Sequence, residues 1–182
     1  MIPEIGHFAL ILALSVAIIQ GVFPLWGSLT GKPQWITLAK PAAYGQLLFM
    51  VISFACLVYA FVVNDFSVKY VANNSNANMP TMFRVSATWG AHEGSLLLWA
   101  MILSFWGAAV AFFSKGIPPI MLSRVLSIMG LIGVGFMLFV IVTSNPFERL
   151  LQIPLEGRQL NPLLQDFGLI IHPPMLYMGY VG

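Results

Sequence analysis

Three histidines stand in this 182-residue sequence, and His172 sits inside an apolar run, directly before two prolines, in "GLIIHPPMLYMGYVG". Proline lacks an N–H and suits the first turn of a helix, and the residue before it is pushed toward extended backbone. The pattern therefore predicts His172 just ahead of a helix that begins at Pro173 and carries Met175, Leu176 and Tyr177 into an apolar medium. An imidazole at such a dry boundary suits axial ligation of a metal or haem iron. It suits equally an interfacial histidine hydrogen-bonded to a backbone carbonyl. One histidine without an opposing ligand or an orienting partner does not separate the two readings.

The second stretch with chemical potential is "TWGAHEGSLLLW", Thr88 to Trp99. One reading is a loop-to-helix junction, with Trp89 in the interfacial aromatic belt and Glu93 at the positive end of a helix. The other is a wall of a cofactor pocket containing Trp89 and His92. His92, Trp99 and Trp106 recur at intervals of seven, so they share roughly one helix face, which is more often packing than a stacking surface. His7 has no supporting context and reads as interfacial.

The elements that must position these side chains are set by composition. The chain is 59% hydrophobic and 8% charged, against about 25% charged in a soluble domain. That is too little charge to solvate a globular surface, so lipid is the expected solvent. Charged residues punctuate the chain into charge-free runs at 5–31, 41–64, 94–114 and 125–147, with a fifth apolar run beginning near Phe167, and the spans are placed at about 5–26, 41–64, 94–114, 125–147 and 173–182. Each of the first four is long enough to cross a hydrocarbon core, which takes about 20 helical residues. In the first, Pro24 is expected to mark the helix end. The fifth run reaches Gly182 in mid-segment, so the expectation is an N-terminal piece of a longer protein. The fold class is an all-α polytopic membrane protein: four full transmembrane helices plus the start of a fifth.

Two long loops, 65–93 and 148–172, alternate with two short ones. The short loops carry Lys32, Lys40, Lys115 and Arg124 at higher density, which places them inside and the N-terminus and both long loops outside. The N-terminus lacks the basic start and small-residue cleavage site of a signal peptide, so the first run is expected to be retained. "FSVKYV" alternates and reads as a short strand, and "ANNSNANMP" as a turn-rich excursion whose sequon at Asn73 is a chance match. Asn145–Pro146 and Asn161–Pro162 are cap-and-start signals for short amphipathic helices at the outer surface.

Several functions are disfavoured. A net charge of +2 without a basic cluster gives no reason for nucleic-acid binding. One cysteine, Cys56, and no CxxC argue against a thiol oxidoreductase or a c-type cytochrome. No ionisable Asp, Glu, Lys or Arg lies inside the four apolar runs, which argues against an ion pump and puts any chemistry at the outer face.

Five segments, "NDFSVKYVA", "RVSATWGAHEGSLLLW", "TSNPFERL", "EGRQLNPLLQD" and "GLIIHPPMLYMGYVG", resemble in order the start of the CcmF family. These are large membrane haem lyases of bacterial cytochrome c maturation, within the haem-handling protein superfamily. Relatives dedicated to nitrite-reductase cytochromes look similar here. The resemblance implies a multi-pass protein of the bacterial inner membrane with periplasmic long loops. It implies haem b (iron protoporphyrin IX) as cofactor, taken from a periplasmic haem chaperone and joined by thioether bonds to apocytochrome c. Thiol-reducing maturation proteins would be further partners. His172 matches an external axial histidine of the family; the tryptophan-rich segment and the remaining histidines would lie past Gly182, so catalysis is not expected of this fragment alone. On this reading Trp89 and His92 line the haem pocket, and Arg84 and Arg158 pair with haem propionates. A haem transporter and a non-catalytic scaffold are the competing readings.

Overall fold

The charge-free runs become helices that start a few residues ahead of them, and the second, third and fourth of these helices stop short of the far end of the run. In the computed structural model, which describes residues 1–181 apart from the side chains of Leu163 and Leu164, helix α1 spans Ile2–Thr30 and a short α2 spans Pro33–Ile36. Then follow α3 (Ala39–Val62), α4 (Lys69–Asn74), α5 (Thr81–Ala87), α6 (His92–Phe113) and α7 (Pro119–Thr143). A 3-10 turn at Pro162–Gln165 leads into α8 (Phe167–Val181). Gly182, at the end of the fifth apolar run, lies outside the described residues. Four segments, Ile2–Thr30, Pro33–Val62, His92–Phe113 and Pro119–Thr143, are long and apolar enough to cross a membrane. Glu4, Lys40, Glu93 and Arg124 fall within the first two turns of α1, α3, α6 and α7, so the helices reach past the apolar runs into charged borders.

α1 and α6 each pack against both α3 and α7, and the four form a bundle with α1 and α6 at opposite corners. Apolarity does not distinguish its inside from its outside, because Ile5, Phe8, Ile11 and Ile18 on the outer side of α1 are exposed. Size does. The buried stripe of α1 runs through Gly6, Ala9, Ala13, Ala17 and Gly21, small residues at helical spacing that let backbones approach in lipid. Where α1 meets α7, a Cβ on Gly130 of α7 would lie 3.1 Å from the backbone nitrogen of Gly21. Beside it the buried amide of Gln20 donates to the Leu126 carbonyl over 2.8 Å.

Pro24 does not end α1. The helix continues to Thr30 and closes at Gly31, whose φ of 69° is left-handed, with the Lys32 N–H donating to the Gly27 carbonyl over 3.0 Å. The turn beyond the proline is held by neighbours: Arg124 of α7 donates from Nε to Ser28 Oγ over 3.1 Å. Packing of this kind is what allows a proline inside an apolar spanning helix.

The N-terminal end of α1 and both long loops gather at one end of the bundle. Arg149 donates to Glu4 in the first turn of α1 and to Asp65 just after α3. Three expectations for the long loops change here. "FSVKYV" is not a strand: Val68 makes a single antiparallel bridge to Arg149, and α4 starts at the next residue. Asn145–Pro146 starts no helix. Asn145 Oδ1 instead accepts the Phe147 N–H over 3.0 Å in a tight turn, and the following backbone is taken up across the loops, by Lys69 N–H to Glu148 O over 2.9 Å and Leu150 N–H to Ser67 O over 2.9 Å. Asn161–Pro162 yields the 3-10 turn rather than an amphipathic helix. The α-helices that do form in the long loops are α4 and α5.

Candidate functional site

The helix that carries His172 starts at Phe167, earlier than its prolines suggest. Asp166 Oδ1 accepts the N–H groups of Gly168 over 2.9 Å and Leu169 over 3.2 Å, and the Ile170 N–H reaches the Asp166 carbonyl over 3.0 Å. This is a complete N-cap, and it sets the first helical residue at Phe167. Pro173 and Pro174 therefore fall inside α8, and His172 lies within the helix rather than in extended backbone ahead of it. The bias of a pre-proline residue away from helix is outweighed by the cap before it and by the contacts that follow.

Those contacts come from the turn between α5 and α6. Pro174 has no N–H to give to the carbonyl four residues back, which belongs to Ile170. The indole Nε1–H of Trp89 donates to that carbonyl over 3.0 Å. Further along, the hydroxyls of Ser95 on α6 and Tyr177 on α8 are hydrogen-bonded. Trp89 is itself held by its neighbours. The buried phenol of Tyr70 donates to the Thr88 carbonyl over 3.0 Å and accepts the Ala91 N–H over 3.3 Å, bracketing Trp89 on both sides. Burial pushes the Tyr70 phenol well above its ordinary range, which keeps it a donor. Gly94 makes room for this turn, since a Cβ there would run into the Thr88 carbonyl oxygen.

Ile170 and Tyr177 mark the face of α8 that meets α6. At 3.6 residues per turn, His172 lies about 200° round the helix from Ile170, on the side turned away from the bundle. His172 is exposed, and Met175, Leu176 and Gly179 continue its face. Met175 and Leu176 are 67% and 41% exposed, so the imidazole stands at the head of an uncovered apolar strip. Among the described residues no group of three or more His, Cys, Asp or Glu side chains could hold a metal ion together.

The other expected site residues separate. His92 turns toward α7: its Nδ1 lies 3.1 Å from Ser144 Oγ and its ring meets Phe139 edge-on. With Leu96 and Phe136 it lines an open apolar groove of about 460 Å³. Trp99 packs on Phe136 with ring centres 3.7 Å apart, so His92 and Trp99 of the stripe spaced by seven both face α7, while the Trp106 ring meets its neighbour Phe105. Arg84 is taken up by the backbone: Nε donates to Met79 O over 2.8 Å, and the terminal nitrogens to Val62 O over 3.2 Å and Ala77 O over 2.7 Å. It closes the end of α3 and its loop, and offers little to a propionate. The Arg158 side chain is exposed, while its N–H is pinned to Ala72 O over 2.8 Å. His7 Nδ1 lies 3.3 Å from the Asn145 side-chain amide. Tyr70, Ser95 and Asp166 were not singled out by the sequence, and Tyr177 was read only as part of the apolar helix. Only Asp166, an acid placed to cap the following N–H groups, carried a local signal.

A family model described as "Cytochrome C assembly protein" matches residues 89–182, beginning at the tryptophan that holds α8. The chain belongs to this cytochrome c assembly protein family. The whole chain is also 61% identical to a Pseudomonas aeruginosa protein named "Cytochrome c-type biogenesis protein CcmF" and 57% identical to the Escherichia coli protein of the same name, covering 28% of each. A Haemophilus influenzae protein named "Cytochrome c-type biogenesis protein NrfE" is 47% identical over the full chain. Among solved structures, "Cytochrome c Heme Lyase CcmF" superimposes with a TM-score of 0.84 at 25% identity, covering all of this chain and 28% of that one. The chain thus spans little more than a quarter of the length of these cytochrome c assembly proteins. The resemblance to the CcmF family seen in the sequence motifs is borne out, and the four apolar helices make the chain a multi-pass membrane protein.

Proposed function

We propose that this chain is part of a membrane haem lyase of cytochrome c maturation, in which His172 supplies one axial nitrogen to haem at the periplasmic face of the inner membrane. The observation that carries the reading is the exposed imidazole of His172, on the side of α8 turned away from the bundle and at the head of an apolar strip. An axial ligand needs an imidazole with an uncovered apolar surface beside it, and this helix offers both. The residues fit half a haem site. The other two histidines face Ser144 and Asn145 rather than His172, so the opposing ligand is expected from the part of the longer relatives that this chain does not span.

The reaction adds the S–H of each cysteine in an apocytochrome CxxCH motif across a haem vinyl group, forming a C–S and a C–H bond. This chain contributes position rather than a nucleophile. Trp89 and Tyr177 hold α8 against the bundle and Asp166 caps its start; His172 would hold the iron, and bound haem would supply the vinyl groups to which the thiols add. A periplasmic haem chaperone, apocytochrome c and thiol-reducing proteins are the partners this role requires. The long loops and the N-terminus lie in the periplasm in this reading.

The test is His172→Ala in the full-length protein, scored by the yield of thioether-linked cytochrome c at matched protein level. Loss of holocytochrome supports the assignment. An unchanged yield removes it. Haem released outside the cell without covalent attachment would point instead to transport, and a full-length protein that never carries haem would point to a scaffold.

A further inference from the structure

A helix that carries two prolines in its interior leaves carbonyls without their usual donors. In α8 these belong to Leu169 and Ile170, four residues before Pro173 and Pro174. Ile170 is 9% exposed, so its carbonyl cannot rely on water, and an unsatisfied buried acceptor is costly. The donor comes from 81 residues away, the Trp89 indole at 3.0 Å. It attaches two residues before His172. It leaves from a turn locked by Tyr70 and by the close approach at Gly94, so its position is fixed. The Trp89 indole is turned to the backbone of α8 on the face opposite His172, which is not where a ring stacked on a ligand of His172 would stand.

We propose that Trp89 is a positioning residue for His172. Its N–H completes the α8 backbone at the gap opened by Pro174, and thereby sets the rotation of the helix that carries the imidazole. The α8 part stands on the hydrogen bond alone; the consequence for haem rests on the ligand reading given under the proposed function.

The experiment uses the full-length protein in three variants: Trp89→Phe, which keeps an aromatic ring but removes the donor, Trp89→Phe combined with Pro174→Ala, and His172→Ala. Alanine at 174 supplies an N–H that reaches the Ile170 carbonyl within the helix and makes the indole redundant. Hydrogen–deuterium exchange of the 167–181 segment in haem-free protein is the first readout. Trp89→Phe is expected to speed exchange about tenfold, the equivalent of one hydrogen bond, and Pro174→Ala is expected to restore protection. The low-spin haem spectrum is the second readout, expected to weaken in Trp89→Phe and recover in the double variant. Wild-type exchange in Trp89→Phe, or an exchange increase that Pro174→Ala fails to reverse, overturns the proposal. If exchange follows the expected pattern while His172→Ala leaves the spectrum unchanged, Trp89 still positions α8 and it is the ligand reading that fails.

Discussion

The phenol of Tyr70 donates to the backbone carbonyl of Thr88 over 3.0 Å, fastening α4 of the first long loop to the turn that opens α6. Tyr70 is 2% exposed, and the same oxygen accepts the Ala91 N–H over 3.3 Å, so one side chain satisfies backbone groups on both sides of Trp89. Tyr70→Phe is expected to destabilise the protein by about 1–3 kcal/mol, the cost of buried polar groups left unpaired. Thermal unfolding in detergent measures it; an unchanged midpoint would show that the turn does not depend on the phenol.

The same residue gives a pH dependence. Burial raises the Tyr70 pKa in the folded protein above the unfolded value of about 10. The neutral phenol is the form the fold favours, so its contribution is complete below pH ~10 and is lost as pH rises further. Stability measured between pH 8 and 11 is therefore expected to fall above pH ~10 in the wild type, and less steeply in Tyr70→Phe. Parallel curves would contradict this.

Glycines in this chain are not interchangeable. A Cβ on Gly94 would run into the Thr88 carbonyl, a rigid backbone atom, whereas a Cβ on Gly45 in α3 would meet only a Val16 methyl at 3.5 Å. Gly94→Ala is expected to cost about 3 kcal/mol or more and lower the amount of folded protein. Gly45→Ala is expected to be neutral or slightly stabilising, by up to about 1 kcal/mol from the helix interior. Equal effects in a side-by-side stability assay would show that close approach at Gly94 is unimportant.

The orientation is testable with single cysteines in a Cys56→Ala background. Asn78 lies in the first long loop and Lys115 in the short loop between α6 and α7. Asn78→Cys is expected to react with an impermeant maleimide in spheroplasts, and Lys115→Cys only after the membrane is opened. The reverse pattern would put the His172 end in the cytosol.

The spanning helices were legible in the sequence because charge is a coarse, long-range signal that twenty-residue apolar runs cannot disguise. Their ends were less so. Pro24 reads locally as a stop, but the turn after it is held by Arg124, 96 residues from Ser28. Local signals competed at His172 as well. The prolines said that the helix begins at 173, the Asp166 cap said 167, and the cap prevailed because Trp89 supplies the donor that Pro174 withholds. The partners of Tyr70 were invisible for the same reason, since hydrogen bonds across 18 or 21 residues leave no period in the sequence. Arg84 looked like a free surface cation because nothing in its neighbourhood announces three carbonyls converging on it.

The most direct measurement is the spectrum of haem in the full-length protein carrying His172→Ala, recorded before and after adding free imidazole. Loss of the low-spin bands in the variant, with recovery when imidazole enters the vacated position, is the predicted result. A variant whose bands match the wild type without imidazole would contradict His172 as the ligand.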